Sequence, residues 1–157
     1  MVSPELLRRY PFFGGLSDAQ LREISMITEE EVFQKGTIIL TDKKPAEKLY
    51  FLLDGSIDLI YQTVDELNLK PVPSRELMAG EVNPGEVFGV SALIEPYIYN
   101  ASARAAMSCR VLIIDGIKLR NLIDLDNDLA NKMLHHLVTT LMERLIATRV
   151  QLAAAQS

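Results

Sequence analysis

Residues 48–63 have the sequence KLYFLLDGSIDLIYQT, in which two apolar runs flank the pair Asp54-Gly55. Both runs are rich in aromatic and β-branched residues, which favour strands, and Asp-Gly is a strong signal for a tight turn. The segment therefore predicts two short strands, at 48–53 and 56–63, joined by a turn.

Similar runs continue on both sides of this segment and predict more short strands, because turn residues such as Lys35-Gly36 and Asn83-Pro84-Gly85 separate them. Residues 64–74 contain two prolines and are predicted to form an exposed loop. Short strands at this spacing indicate a sandwich or a barrel-like roll. The further predicted strands are 31–34, 37–41, 75–82, 99–106 and 108–115.

Helical signals lie at both ends of the chain. Ser3 followed by Pro4 predicts a first helix, and Ser17 is expected to cap a second helix from 18 to about 28. After the strands, a short helix is predicted at 117–125, and Asp126 is expected to cap a long helix that runs towards residue 153.

One domain is predicted over 1–157, with N-terminal helices at 1–30, strands at 31–115 and C-terminal helices at 116–157. The composition, 48% hydrophobic and 24% charged, is ordinary for a soluble globular protein, and no transmembrane helix or secretory signal is visible. A single cysteine is compatible with a cytoplasmic location. A net charge of -5 without a basic cluster disfavours nucleic-acid binding.

Four segments resemble the cyclic nucleotide-binding domain family, in particular its Crp/Fnr branch of catabolite-activator and fumarate-nitrate regulators. FQKGTI at 33–38 and LYFLLDGSI at 49–57 look like the opening strands, PGEVFG at 84–89 like the lead-in to the phosphate-binding cassette, and ASARA at 101–105 like the strand that leaves it. The resemblance covers nearly the whole chain. It implies an α+β fold in which an antiparallel β-roll, of the double-stranded β-helix or jelly-roll type, is flanked by N-terminal helices and a long C-terminal helix.

The ligand chemistry departs from that family. The glutamate that binds the ribose hydroxyl in the family falls at Val90, and the arginine that pairs with the cyclic phosphate falls at Tyr99. Both charged anchors are missing, and burying a phosphate without a cation costs several kcal/mol, as an order of magnitude.

Other groups are candidates for binding a ligand. A short helix expected from 89 to about 94 would offer backbone N–H groups, and Arg104 is a possible substitute cation that would share a strand face with Asn100 and Ser102. The alternative, which we favour, places Arg104 on the solvent side. In the family, groups of the long helix close over the nucleobase, and the resemblance puts those positions near Arg144 and Leu145. The candidate pocket is Phe88, Gly89, Val90, Ser91, Tyr99, Asn100, Ser102, Arg104 and Arg144.

The long helix carries an apolar stripe that must be buried somewhere. The resemblance favours a homodimer across a two-fold axis, and the alternative is that the first half packs on its own roll while the last turns fray. Because regulators of this family carry a DNA-binding domain after this helix and no residues remain for one, DNA binding is not expected. The stripe is Leu134, Leu137, Leu141, Leu145, Thr148 and Leu152.

No catalytic or metal site is predicted, and the protein is not expected to be an enzyme. His135 and His136 point in different directions on a helix, and Cys109 is expected to be a small buried hydrophobe. The run Glu29-Glu30-Glu31 is interpreted as a solvated helix end. The spacing of aspartates near residue 126 lacks the glycine and glutamate of a calcium loop.

The sequence thus predicts a regulatory module whose roll binds a small effector, a cyclic nucleotide or another molecule, and whose long helix responds. The alternative is a ligand-free roll, with Val90, Ile98 and Tyr99 filling the former site, that serves as an oligomerisation or docking unit. The sequence does not identify the ligand or the partner protein.

Overall fold

The computed structural model describes residues 1–63 and 75–156, so the predicted loop at 64–74 lies outside the described residues. Along these described residues, two short helices come first, then eight strands, then a short and a long helix. Single 3-10 turns follow α1 and β6, at Pro11–Phe13 and Val90–Leu93. The elements are α1 Pro4–Arg8, α2 Asp18–Met26, β1 Thr28–Phe33, β2 Ile38–Leu40, β3 Lys48–Asp54, β4 Ile57–Thr63, β5 Arg75–Val82, β6 Val87–Phe88, β7 Ser102–Ala105, β8 Cys109–Asp115, α3 Gly116–Leu125 and α4 Asn127–Ala155.

The strands form two four-stranded antiparallel sheets with the orders β1-β8-β3-β6 and β2-β7-β4-β5. The turn at Asp54-Gly55 therefore passes the chain from one sheet to the other, because β3 pairs with β8 while β4 pairs with β5 and β7. Phe51, Leu112 and Ile57 are fully buried, and the Phe51 ring packs against the rings of Tyr10 and Phe13 from the N-terminal segment. The predicted antiparallel roll with flanking helices is confirmed.

Local capping fixes where the helices begin. The Ser3 hydroxyl accepts a hydrogen bond from the Glu5 N–H at 3.1 Å. Ser17 and Gln20 form a reciprocal capping box at the start of α2. The Asp126 carboxylate accepts from the Leu129 N–H at 3.1 Å and caps α4, as predicted.

The second helix ends two residues earlier than predicted, at Met26, and the acidic run that follows belongs to β1. The interpretation of Glu29-Glu30-Glu31 as a helix end, and the boundary of the helical region at residue 30, are therefore wrong. The physical reason is tertiary: the backbone of this run pairs with β8, so that Glu30 lies opposite Leu112. β1 is an edge strand of its sheet, so its carboxylates stay in water.

Two strands differ from the prediction near residues 84–106. β6 was not predicted, because two residues are too few to show a periodicity, yet Val87 and Phe88 pair with Phe51 and Tyr50. β7 is shorter than 99–106, and Asn100 lies in the bend before it. The expectation that Asn100 shares a strand face with Ser102 and Arg104 is therefore wrong for Asn100.

The long helix packs on its own roll only near its beginning. Leu129, Met133 and Leu137 are buried in the core, and Leu137 is 2% exposed, whereas Val138 is 58% exposed. Leu137 was predicted to lie in the stripe that faces a partner, and this is wrong. The roll lies on that side of the helix, so the exposed stripe shifts by one residue to Val138.

Candidate functional site

The centre of the site is the turn between β6 and the 3-10 helix. Gly89 links the two elements with a left-handed backbone, φ 71° and ψ 31°. A Cβ atom at this position would lie 2.9 Å from Cδ2 of Tyr50, so both the conformation and the space favour glycine. The Tyr50 ring stacks on Phe88 with centroids 5.0 Å apart, which fixes the strand that leads into the turn.

An open cleft of about 650 Å³ lies beside this turn, between the roll and α4. Its wall includes three apolar side chains from the segment that follows the 3-10 helix, the ring of Tyr61 and one side chain of the long helix. It also includes three charged residues, Asp42, Lys43 and Glu95. The full lining is Asp42, Lys43, Tyr61, Val90, Ser91, Ile94, Glu95, Pro96, Ile98, Tyr99, Asn100 and Leu141.

A smaller niche of about 70 Å³ adjoins the cleft and shares Val90, Ser91, Tyr99 and Asn100 with it. Its remaining wall is Leu40, Leu59, Gly89, Ala101 and Arg144. One side of the niche is therefore the turn after β6, and the other side is a cation that comes from α4.

Tyr99, which the resemblance aligns with the family's phosphate-binding arginine, is held in place by burial and by a hydrogen bond. Its side chain is 7% exposed, and its hydroxyl donates to the Lys48 carbonyl at 2.6 Å. Burial raises the pKa of the Tyr99 phenol, which the hydrogen bonds partly oppose, and burial likewise raises the pKa of Tyr50. Both phenols are therefore neutral at physiological pH.

Arg144 reaches from α4 to the strand before the turn. Its Nη2 donates to the Val87 carbonyl, and its Nε is buried without a hydrogen-bond partner among the described residues. Burial lowers the pKa of this guanidinium, and the nearby Glu86 carboxylate partly restores it. An arginine stays charged under such conditions.

Residues 30–126 match the cyclic nucleotide-binding domain family, which is more than half of the chain. The chain belongs to this family. Among solved structures, a protein of Geobacter metallireducens that is provisionally named a cyclic nucleotide-binding protein is 36% identical, with a TM-score of 0.78, and the match covers 92% of this chain and 99% of that one.

Two curated relatives show the kinds of protein in which similar domains occur. One is a protein of Rhodopseudomonas palustris provisionally named a potassium channel, 23% identical over 85% of this chain and 30% of its own length. The other is a CRP-like cAMP-activated global transcriptional regulator of Mycobacterium tuberculosis, 21% identical over 76% of this chain and 50% of its own length. The chain thus spans half or less of these two relatives.

In this cyclic nucleotide-binding domain, six of the nine predicted pocket residues line the niche: Gly89, Val90, Ser91, Tyr99, Asn100 and, from the long helix, Arg144. The ring of Phe88 is fully buried under Tyr50 and is not exposed to either cavity.

Ser102 and Arg104 line a second, outer cleft of about 420 Å³, which shares Asp42, Lys43 and Tyr61 with the first. The Arg104 guanidinium pairs there with Glu76 at 3.0 Å. The Ser102 hydroxyl accepts from the Asp42 N–H at 2.9 Å. Arg104 therefore does not line the niche, and its side chain is 35% exposed.

Sequence reasoning missed several cleft residues, among them Asp42, Tyr61 and Leu141. These residues are far apart in the chain and no local motif marks them, so only the folded roll reveals that they share a wall. The stretch Ile94–Ile98 could have been found, because it continues directly from the cassette turn.

The other candidate groups have structural roles. The Cys109 thiol is buried and lies 3.2 Å from the Ser56 carbonyl, as expected for a small core residue. The ring of His136 bonds through Nε2 to the Gly14 carbonyl at 2.8 Å. Within residues 1–63 and 75–156 there is no cluster of side chains suited to a metal ion, and no helix is long and apolar enough to cross a membrane.

Proposed function

We propose that this domain is the sensor part of a regulator, that a small effector binds in the cleft beside Gly89, and that the chain dimerises through α4. One observation carries the proposal: Leu141 lies both in the wall of the cleft and on the exposed apolar stripe of α4. A molecule in the cleft would contact the same side chain that a partner helix would cover.

The chemistry of the cleft supports an effector other than a cyclic nucleotide whose ribose and phosphate are both bound by charged side chains. Val90 offers no carboxylate for a ribose hydroxyl, and the Tyr99 phenol is engaged with the Lys48 carbonyl. The wall is largely apolar and aromatic, which favours binding through buried apolar surface. A cyclic nucleotide stays a candidate, but its phosphate must find a different cation.

The exposed face of α4 supports a second copy of this chain as its partner. Its apolar positions alternate by 4, 3, 4, 3 and 4 residues, which is the spacing of a two-stranded coiled coil. An apolar face of this length is unfavourable in water. The stripe is Leu134, Val138, Leu141, Leu145, Thr148 and Leu152, and its five apolar side chains are exposed.

The two features together give a mechanism. An effector that contacts Leu141 in one arrangement of α4 and not in another shifts the equilibrium between them, by as much as its affinities for the two states differ. The helix then transmits binding to whatever element it contacts. We propose binding and signalling, and no catalysis. A cytoplasmic location stays a prediction.

Thermal unfolding with cyclic AMP, cyclic GMP and cyclic di-GMP tests the effector. At about 100 times its dissociation constant a ligand adds about 2.7 kcal/mol to the stability of the folded state, a shift of several degrees. Ile98→Glu should abolish the shift, whereas Ile117→Glu, a residue outside the cleft with matching exposure of 47% against 46%, should keep it. A shift that survives Ile98→Glu contradicts binding in this cleft.

Light scattering tests the dimer. The wild-type protein should have twice the chain mass of 17.6 kDa, and Leu145→Glu should return it to the mass of one chain. Leu125→Glu is the control, because Leu125 is 88% exposed, at the end of α3 and off the stripe. Loss of the dimer in both variants, or in neither, would contradict the assignment of this face.

The ligand-free docking roll is the second candidate, and the position of Tyr99 favours it. Tyr99 is the residue that the resemblance aligns with the family's arginine, and its phenol is occupied: it donates to the Lys48 carbonyl and accepts the Lys48 N–H at 3.3 Å. An intact dimer whose stability no small molecule changes would support this candidate over the sensor.

A further inference from the structure

Arg144 brings a positive charge to the cassette turn from outside the roll. It belongs to α4, 57 residues along the chain from its hydrogen-bond partner Val87, and it forms one wall of the niche beside Gly89. The roll's own arginine in this region, Arg104, is on the outer cleft and is neutralised by Glu76.

The hydrogen-bonding capacity of Arg144 is only partly used. Nη2 donates to the Val87 carbonyl, but the buried Nε–H has no acceptor among the residues that the structure describes. Arg144 also forms no ion pair within those residues. The nearby Glu86 carboxylate instead accepts the Asn83 N–H at 2.7 Å. Buried donors without acceptors are rare, and a guanidinium fork is shaped for an oxyanion.

We propose that the niche is an oxyanion site, in which Arg144 binds one phosphate or carboxylate group with help from the Ser91 hydroxyl and the Asn100 amide. The inference rests on the proposed function of the cleft and deepens it, because it names the chemistry of the effector. Charge-assisted bonds from arginine to such groups are short and strong.

The size and lining of the two spaces define the rest of the effector. The niche, of about 70 Å³, holds a group of the size of a phosphate, while the cleft that shares four of its residues is about 650 Å³. The body of the molecule lies in the cleft, against Ile94, Ile98 and the Tyr61 ring, and is therefore apolar or aromatic. Asp42 and Glu95 outnumber Lys43 on the cleft wall, which disfavours a second anionic group.

Such a site couples the ligand to the helix directly. Where the cation belongs to the roll, the phosphate can bind without involving the long helix. Here the cation is a residue of α4, so an occupied niche holds α4 against the cassette turn. The binding free energy that the oxyanion gains from Arg144 then also stabilises this position of α4, so ligand binding and helix position are coupled.

Nuclear magnetic resonance titrations of the full chain test the inference. The probes are phenyl phosphate, cyclic AMP, benzoate, inorganic phosphate and neutral benzyl alcohol, and the readouts are the Nε–Hε signal of Arg144 and the backbone signals of the cleft. We expect an aromatic oxyanion to move both and to bind more tightly than inorganic phosphate or benzyl alcohol. If phenyl phosphate binds more tightly than benzoate, the head group is a phosphate, and if benzoate binds more tightly, it is a carboxylate.

Variants separate the contribution of the charge from folding. Arg144→Met should weaken the best probe at least about tenfold, or about 1.4 kcal/mol, and Arg144→Lys, which keeps the charge but loses the fork, should weaken it less. Arg149→Met is the control, because Arg149 is an exposed residue of the same helix and is outside both cavities; it should leave the affinity unchanged.

The possible failures are distinguishable. If a probe moves the cleft signals while the Arg144 signal stays fixed, or if both Arg144 variants bind as the wild type does, the oxyanion site is overturned and the effector cleft stands. The same holds if only benzyl alcohol binds. If no probe, charged or neutral, moves the cleft signals at millimolar concentration, the oxyanion site and the sensor function are both overturned.

Discussion

Substituting Gly89 by alanine should destabilise the domain more than the same change at any open turn. Gly89 has a φ of 71°, and an added Cβ would lie 2.9 Å from Tyr50 Cδ2 and 3.2 Å from Leu40 Cδ2. Tyr50 cannot move aside freely, since its ring stacks on Phe88. The methyl group would have to displace a packed core.

Two costs add in this variant. A non-glycine residue in the left-handed region costs about 1–2 kcal/mol, and overpacking a core by a methyl group costs about 1–3 kcal/mol. The expected loss is therefore about 2–5 kcal/mol. For a chain of 157 residues, at about 2–4 °C per kcal/mol, the melting temperature should fall by about 4–20 °C.

Gly85→Ala is the matched control. Gly85 also has a positive φ, 89°, but nothing lies within 4 Å of its hypothetical Cβ, so only the backbone cost of about 1–2 kcal/mol applies. Urea denaturation of both variants measures the difference. If Gly89→Ala is no less stable than Gly85→Ala, then Tyr50 and Leu40 yield easily, and the argument that close packing fixes the cassette turn is refuted.

Three further predictions concern stability and reactivity. Tyr99→Phe should lower the free energy of unfolding by about 0.5–1.5 kcal/mol in urea titrations, because the partly buried hydrogen bond from the phenol to the Lys48 carbonyl is lost, and an unchanged midpoint would contradict this. Hydrogen bonds from the Leu129 N–H and from Gln20 lower the pKa of Asp126 below its ordinary value of 3.8. Their stabilisation is complete above the unfolded-state pKa and is lost as the pH falls through the folded-state pKa, so Asp126→Asn should flatten the fall of unfolding free energy below about pH 4; equal slopes in the two proteins would refute the assignment. Finally, the buried Cys109 thiol should react with a thiol reagent such as DTNB only after unfolding, and rapid labelling of the folded protein would show that the strand opens readily.

Residues of the site that lie close together in the chain could be predicted from the sequence, and distant ones could not. The cassette turn at 84–89 and the niche residues up to Asn100 are contiguous, so a resemblance in one segment identified them together. Arg144 was a candidate from the resemblance, but its contact with the Val87 carbonyl and its unpartnered Nε required the folded structure. Leu141 and Tyr61 had no sequence signal as cleft residues.

The sequence by itself determined the local features of this protein. Ser3, Ser17 and Asp126 cap their helices through bonds to residues two or three positions away, so the residue types nearby are sufficient to predict them. The strand at 75–82 was predicted with the bounds that the structure has, because its ends coincide with turn signals. The prediction that Val90 and Tyr99 stand in place of the family's charged anchors also came from the sequence alone.

Only the tertiary structure decided which surfaces meet. The run at Glu29–Glu31 is a strand because β8 lies beside it, and Leu137 is buried where Val138 is exposed because the roll lies on one side of α4. Neighbouring helix residues differ by about 100° in direction, so the spacing of apolar residues alone does not show which of two adjacent positions faces the roll. Contacts between distant segments depend on how the sheets and helices pack, and the spacing of residues along the chain does not contain that information.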